Sequence, residues 1–375
     1  MEASHFISFI NTPDAPFPWD QLTPLPWWQA MAQCPQDPVH HAEGDVATHT
    51  RMVVDELRNL AAWRDLPSGE RGVLLLAALL HDVGKPATTA TDSDGRVTSL
   101  GHSRRGMIIA REMLWKSGVP FAVREAVCAL IRWHQRPFFV IGSDDPERSV
   151  ITIAQTCRCD HLAILAEADV RGRIAPTQEL SLLHVALFAE VARDAVCFAA
   201  PYSFASAHSR VEYFRKPGRA ADYAAFDDTT GEIVMLSGLP GMGKDTLARR
   251  EFAHLPMISL DALRTEMRVS HTDDQHGVIR AAREAARDYL RRGEPFVWNA
   301  TTISREQREP ILALAADYRF RARVVYVEVP WNVQQKQNRS RDAQVRDAAI
   351  QRMIHRWEVP DETEAHTVDL RVSDA

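Results

Sequence analysis

An apolar run at 233–236 passes directly into Gly238-Leu239-Pro240-Gly241-Met242-Gly243-Lys244-Asp245-Thr246, and a helix-like segment follows. This is the setting that a phosphate-cradling loop requires, with a strand before it and a helix N-terminus after it. Glycines let backbone N–H groups converge on phosphate oxygens, the helix end adds positive potential, and Lys244 reaches the β- and γ-phosphates. Gly238, Gly241, Met242, Gly243, Lys244, Asp245 and Thr246 are therefore the candidate nucleotide-binding residues, for ATP or another NTP with Mg²⁺. Asp245 departs from the usual pattern. It stands where Ser or Thr meets Mg²⁺, so its carboxylate or Thr246 must hold that ion.

The 375 residues exceed what one core usually holds and imply two domains. A net charge of −6 argues against a generally basic nucleic-acid coat, so any polyanion contact must be local. Five cysteines without regular spacing fit a reducing cytoplasm better than a disulfide framework. Glu2 and His5 stand where a signal peptide would be basic, and the apolar run at 73–80 is far too short to span a bilayer. A cytoplasmic protein without membrane attachment is expected.

Residues 1–200 read as a helical domain that begins with a Pro- and aromatic-rich irregular arm over 1–40. His49, Val53, Leu57 and Leu60 recur at helical spacing, as do Met107, Ala110, Met113 and Leu114. A mixed Gly, Pro, Asp and aromatic stretch at 201–230 reads as a linker. Over 231–375, strand-like runs at 232–236, 256–260, 296–298 and 323–329 alternate with helices, the pattern of an α/β domain with a parallel sheet.

The first domain carries its own chemical signal: His49 in one helix, His81-Asp82 at the end of an apolar helix, and Asp169 in Ala-Glu-Ala-Asp-Val-Arg-Gly-Arg. Adjacent side chains on a helix point about 100° apart, so His81 and Asp82 share a metal only near a helix end where other helices close around them. His49 and Asp169 supply those walls, and His102 and His134 complete a second position or hydrogen-bond a phosphate. Such a set suits Mn²⁺, Fe, Co²⁺, Ni²⁺ or Zn²⁺ rather than Ca²⁺. Bound metal would lower the pKa of a water and polarise a phosphoryl oxygen, as phosphoester hydrolysis needs. Cys157 and Cys159 in Cys-Arg-Cys-Asp-His read as packing rather than ligands.

His81-Asp82-Val83-Gly84-Lys85 resembles the signature of the HD phosphohydrolase superfamily. The runs Gln36-Asp37-Pro38-Val39-His40-His41-Ala42-Glu43-Gly44-Asp45, His49-Thr50 and Glu167-Ala168-Asp169-Val170-Arg171-Gly172-Arg173 narrow it to the HD domain attached to certain bacterial tRNA nucleotidyltransferases, over roughly 35–175. That resemblance implies metal-dependent phosphatase and 2′,3′-cyclic phosphodiesterase activity. No nucleotidyltransferase head precedes the match, so CCA addition is not implied.

The second domain is similar to the polynucleotide 5′-kinases of phage and bacterial RNA repair. Asp261 follows the second strand and Arg264 stands one helical turn later, resembling the Asp-x-x-Arg in which Asp takes the proton from a 5′-hydroxyl and Arg binds the neighbouring phosphate. Positioning and charge neutralisation dominate phosphoryl transfer, which makes this pair sensible chemistry. Asn299-Ala300-Thr301-Thr302 resembles the family's Asp-x-Thr segment, with Asn in place of Asp. An arginine-rich stretch lies where these kinases carry a lid, about 332–358; Arg339 and then Arg341 are expected to neutralise the transferred phosphoryl group.

Together the halves resemble the bifunctional HD–Pnk end-healing proteins. The resemblance implies RNA or DNA ends as substrates, an NTP donor, and a ligase acting in the same pathway. Three rivals stand beside it: a nucleotide phosphohydrolase fused to a small-molecule kinase, an ATP-sensing module that regulates the HD site, and a purely structural or scaffold role, which would need both charged constellations to be accidental.

Overall fold

Every residue of the helix Ser68–Leu80 from Gly72 onward is buried, as a helix that is apolar on all faces requires. It is the axis of the first of two compact units, Met1–Tyr202 and Ser203–Ala375. The computed structural model describes residues 2–270, 273–341 and 344–373. Helices Val46–Asn59, Phe121–Trp133 and Cys159–Arg171 pack around this axis, and His102–Lys116 packs on Phe121–Trp133. Asp45 begins the 46–59 helix by accepting the Thr48 backbone N–H at 2.9 Å, the N-cap arrangement that satisfies an otherwise unpaired donor. A short antiparallel hairpin, β1 (Ala90–Thr91) and β2 (Val97–Thr98), precedes the 102–116 helix.

The Pro- and aromatic-rich start is not an irregular arm. It forms the helices Glu2–Asn11, Trp19–Leu22 and Pro26–Ala32. Proline is tolerated at the first helical position, where its missing N–H would be unpaired anyway, and Pro26 uses this. Stacked rings then fasten the segment: Phe9 lies 4.8 Å from Phe17, and the Arg51 guanidinium sits 4.8 Å from the Trp19 centroid.

One glycine sets the geometry of the first unit. A Cβ on Gly84 would fall 2.2 Å from the His102 carbonyl oxygen and 2.5 Å from the Gly106 nitrogen. The bare backbone after His81-Asp82 therefore lies against the start of the 102–116 helix, and His102 is drawn toward that pair.

The second unit is built on a five-stranded parallel sheet, in order β4-β5-β3-β6-β7. The strands are β3 (Gly231–Ser237), β4 (Met257–Ser259), β5 (Val297–Asn299), β6 (Phe320–Glu328) and β7 (Thr367–Val372). The parallel α/β pattern is present as the sequence implied. The edge strand β7 escapes the pattern because its six residues are only partly buried and carry no continuous apolar run. Residues 201–230, which read as a linker, include the helix Ala207–Arg215; within this unit Arg210 bonds the carbonyls of Glu362, Ala365 and His366. Register aligns Leu236 with Asn299 and Asn299 with Ser259. Whatever follows β3, β5 and β4 thus meets at the carboxyl edge of the sheet, where ligands bind in open α/β folds.

Candidate functional site

In the first unit, four imidazoles and two carboxylates converge in a buried cluster. His81 and His134 are the residues just after their helices, and each ring Nδ1–H donates to the carbonyl three residues back, His81 to Ala78 and His134 to Ile131, both at 2.8 Å. Last-turn carbonyls lack intrahelical partners, so a histidine at that position satisfies one of them and is locked by it. His102 Nδ1 donates to Ser99 at 2.7 Å, and His49 Nδ1 reaches Gly172 at 3.1 Å and Glu43 at 2.9 Å. With Nδ1 engaged, each ring presents Nε2 inward. Those inward nitrogens face one another: His49 and His81 at 3.4 Å, His102 and His134 at 3.2 Å.

His102 and His134 are both pushed toward the neutral form; two lone pairs cannot hydrogen-bond each other, so their facing nitrogens call for a cation between or beside them. Asp82 lies between the pairs. Its Oδ2 is 3.3 Å from His81 Nε2 and 3.8 Å from His49 Nε2; its Oδ1 is 3.4 Å from His102 and 3.7 Å from His134. That Oδ1 is buried without a hydrogen-bond partner. Asp169 stands 3.1 Å from His49 Nε2. The donor atoms group as His49, His81, Asp169 and as Asp82, His102, His134, each within 4.8 Å. The orphaned oxygen and the mixed nitrogen and carboxylate donors fit a divalent transition ion.

Burial alone would raise the Asp82 and Asp169 carboxyls, but Lys85 and His81 outweigh it at Asp82, and Arg173 and His49 at Asp169; both are held well below the usual range. Burial, reinforced by His102 and His81, pushes His134 down to about 3 and leaves the imidazole neutral. Three contributors were missed by sequence reasoning. Lys85 Nζ is 2.7 Å from Asp82 Oδ2, and Arg173 clamps Asp169 at 2.5 Å; their spacings of three and four residues from the carboxylates were the available signal. Glu43, which braces both His41 and His49, reaches them across a turn that no periodicity announces. The Cys157 and Cys159 thiols are buried and free, and His161 pairs with Glu70 at 2.7 Å.

In the second unit, the glycine-rich loop joins β3 to the helix Lys244–Glu251. Gly238 has φ +145°, and a Cβ there would meet the Val327 carbonyl oxygen at 2.4 Å, so only glycine fits. The buried Met242 sulfur accepts the Leu239 N–H at 3.2 Å, and Gln334 donates to the Pro240 carbonyl at 2.7 Å. Lys244 Nζ bonds the Gly238 and Leu239 carbonyls at 2.6 and 3.0 Å. Burial drags its pKa down to about 8, opposed by Asp245 and Asp261. A cavity of about 910 Å³ opens beside the loop, lined also by Arg249, Arg250, Arg341 and Arg371; pockets of roughly 300–1,000 Å³ hold small ligands.

Asp261 is exposed at the start of the helix Leu260–Met267 and ion-pairs with Arg264, whose Nε also donates to Gln275 at 2.7 Å. Arg341 lines the cavity 3.8 Å from Asp245 Oδ2, whereas Arg339 ends the helix Trp331–Arg339 and is not among the lining residues. Thr246 lines it too. Asn299 donates to Asp245 Oδ1.

Comparison with known proteins finds one family match in each unit. The HD domain family matches residues 46–170, and an AAA domain family matches residues 233–360. The Multifunctional CCA protein of Halorhodospira halophila is 37% identical over 110 residues, 29% of this chain and 24% of that protein. The Actinobacillus pleuropneumoniae protein of the same name is 29% identical over 185 residues, 46% of this chain and 43% of its own. The CC-adding tRNA nucleotidyltransferase of Thermus thermophilus is 39% identical over 111 residues, 29% of this chain and 24% of its own. The chain thus spans less than half the length of these relatives. A solved candidate kinase from Chloroflexus aurantiacus aligns over 39% of this chain and 86% of its own at 18% identity, with a TM-score of 0.33. No helix among the described residues is long and apolar enough to cross a membrane. The chain joins an N-terminal HD domain to a C-terminal P-loop domain that matches the AAA domain family.

Proposed function

We propose that the protein heals broken nucleic-acid ends at two sites: a metal-dependent 2′,3′-cyclic phosphodiesterase and 2′- and 3′-phosphatase in the HD domain, and an NTP-dependent 5′-hydroxyl kinase in the P-loop domain. The observation that carries this reading is the place of Asp261. Register puts Ser259 level with Asn299 and Leu236, so Asp261 starts its helix, with Arg264 one turn on, at the sheet edge that also carries Lys244. A nucleotide sensor has no need of an ion-paired carboxylate there; a kinase needs one to orient a hydroxyl. Arg264 would bind the phosphate next to that hydroxyl, Lys244 the donor phosphates, and Arg341 the transferred group.

In the HD domain, His49, His81, Asp82, Asp169, His102 and His134 would hold one or two divalent ions. When bound, such an ion supplies an acidified water and a polarised phosphoryl oxygen. Lys85 and Arg173 keep the two aspartates ionised, and the backbone carbonyls hold each imidazole in the tautomer that faces inward. The two activities turn a cyclic phosphate and a 5′-hydroxyl into ends that a ligase in the same pathway would join, in a cytoplasmic setting.

The test is a single oligonucleotide bearing a 5′-hydroxyl and a 2′,3′-cyclic phosphate, incubated with ATP and Mg²⁺ or Mn²⁺ and read by mass. Phosphate gained at one end and water added at the other support the proposal; an unchanged mass sinks it.

A further inference from the structure

We infer that the cavity beside the HD cluster receives the last nucleotide of a chain together with the phosphate on its 5′ side, and that Arg96 is the specificity residue that meets this second phosphate. The inference rests on the phosphoesterase reading above. The cavity has a volume of about 380 Å³, with His41, Lys85 and His102 on the side of the metal-ligand cluster and Arg96, Ser99 and Gly101 farther along the chain that forms the hairpin. That volume is near the lower end of the range for small-ligand pockets, enough for about one nucleotide. With a terminal phosphate at His102, a cavity of this size would take one sugar and base, and a second phosphate would then fall to Arg96 on the same lining.

The hairpin is built to present this arginine. Asp92 closes the turn by accepting the backbone N–H groups of Asp94 and Arg96 at 3.0 and 2.9 Å, while Asp92 N donates to Arg96 O at 3.0 Å. Thr91 pairs with Val97 and Ala90 with Thr98, and the Thr89 and Ser99 hydroxyls meet at 2.7 Å below. Arg96 is exposed, and among the described residues no carboxylate forms an ion pair with its guanidinium. Lys85, by contrast, is engaged by Asp82 and by Gln36. The one opposing charge on the cavity wall is Asp37, whose Oδ1 accepts the N–H groups of Val39 and His40 at 2.9 and 3.2 Å. Those bonds, and more weakly the charges of His40 and Arg96, hold the Asp37 carboxyl below the usual range; Asp37 thus stays ionised and attracts Arg96 without ion-pairing with it, so the guanidinium keeps its donors for a phosphate, which it can fork.

The experiment compares the intact protein, loaded with Mn²⁺, on cytidine 2′,3′-cyclic phosphate and on the same compound carrying a 5′-phosphate. One charge-assisted contact predicts a kcat/KM ratio of about tenfold in favour of the second compound. Arg96→Ala should bring that ratio close to one, and Arg96→Lys should keep part of it. Hydrolysis of both compounds at equal efficiency by the wild type, or a ratio unchanged by Arg96→Ala, overturns the inference and leaves the phosphoesterase reading standing. Hydrolysis of neither compound overturns both.

Discussion

The side-chain amide of Asn299 donates to the carboxylate of Asp245 across 2.8 Å. These two residues depart from the usual P-loop pattern, and they depart together: the loop carries a carboxylate where a hydroxyl is usual, and the neighbouring strand end carries an amide where a carboxylate is usual. The pair keeps one negative charge and moves it from β5 to the start of the 244–251 helix. Asp245→Asn should then raise the Mg²⁺ concentration needed for half-maximal kinase activity by about 10–100-fold. Binding of a fluorescent ATP analogue without metal should change little. The exchange Asp245→Ser with Asn299→Asp should recover much of the loss. A silent Asp245→Asn would assign the ion to Thr246 instead.

The two sites lie in separate compact units, so their losses should separate. Lys244→Ala and Asp261→Ala should each lower kinase activity about a hundredfold to a thousandfold, the scale of a lost charge-stabilising group, and spare phosphoester hydrolysis. His81→Ala and Asp82→Ala should do the reverse. Loss of both activities in a variant with native circular dichroism would refute independent sites.

Glu43 touches His41 and His49 and bonds the Ile174 N–H at 3.0 Å. Outer partners of this kind orient metal-ligating imidazoles. Glu43→Gln should weaken Mn²⁺ binding about 10–100-fold in a titration followed by electron paramagnetic resonance. Unchanged affinity would make Glu43 a purely structural residue.

His366 offers a pH test within the kinase-like unit. Its Nδ1 accepts the Ala322 N–H at 3.1 Å, and Nε2–H donates to His208 at 3.2 Å. Burial, then Arg321, His208 and Arg210, push its pKa from 6.5 down to about 4, against Asp227. The folded state thus refuses a proton that the unfolded chain accepts, so the stabilisation is complete above about 6.5 and declines as the pH falls toward 4. The melting temperature should drop by several degrees between pH 7 and 5. In His366→Asn, whose Oδ1 can replace the Nδ1 acceptor, that slope should flatten. Equal slopes in both proteins would show that other groups dominate.

Several parts of this molecule are written in short stretches of chain. The glycine-rich loop needs only its own residues to turn and to free its N–H groups, and the run to Leu80 announces a buried helix whose end must carry His81 and Asp82. The parallel α/β alternation is equally local. Other features exist only once distant segments meet. Glu43 gains its role from a histidine on the next helix, Asp245 from Asn299 some fifty positions away, and His49 from Asp169 more than a hundred residues on. Strand order and register bring Asp261, after β4, to the same sheet edge as Lys244, after β3, with β5 between them, and the turn of the β1–β2 hairpin puts Arg96 on the cavity. Sequence periodicity specifies which face of an element is apolar. It does not specify which polar groups are brought within hydrogen-bond reach when those faces pack, and that is what the tertiary structure decided.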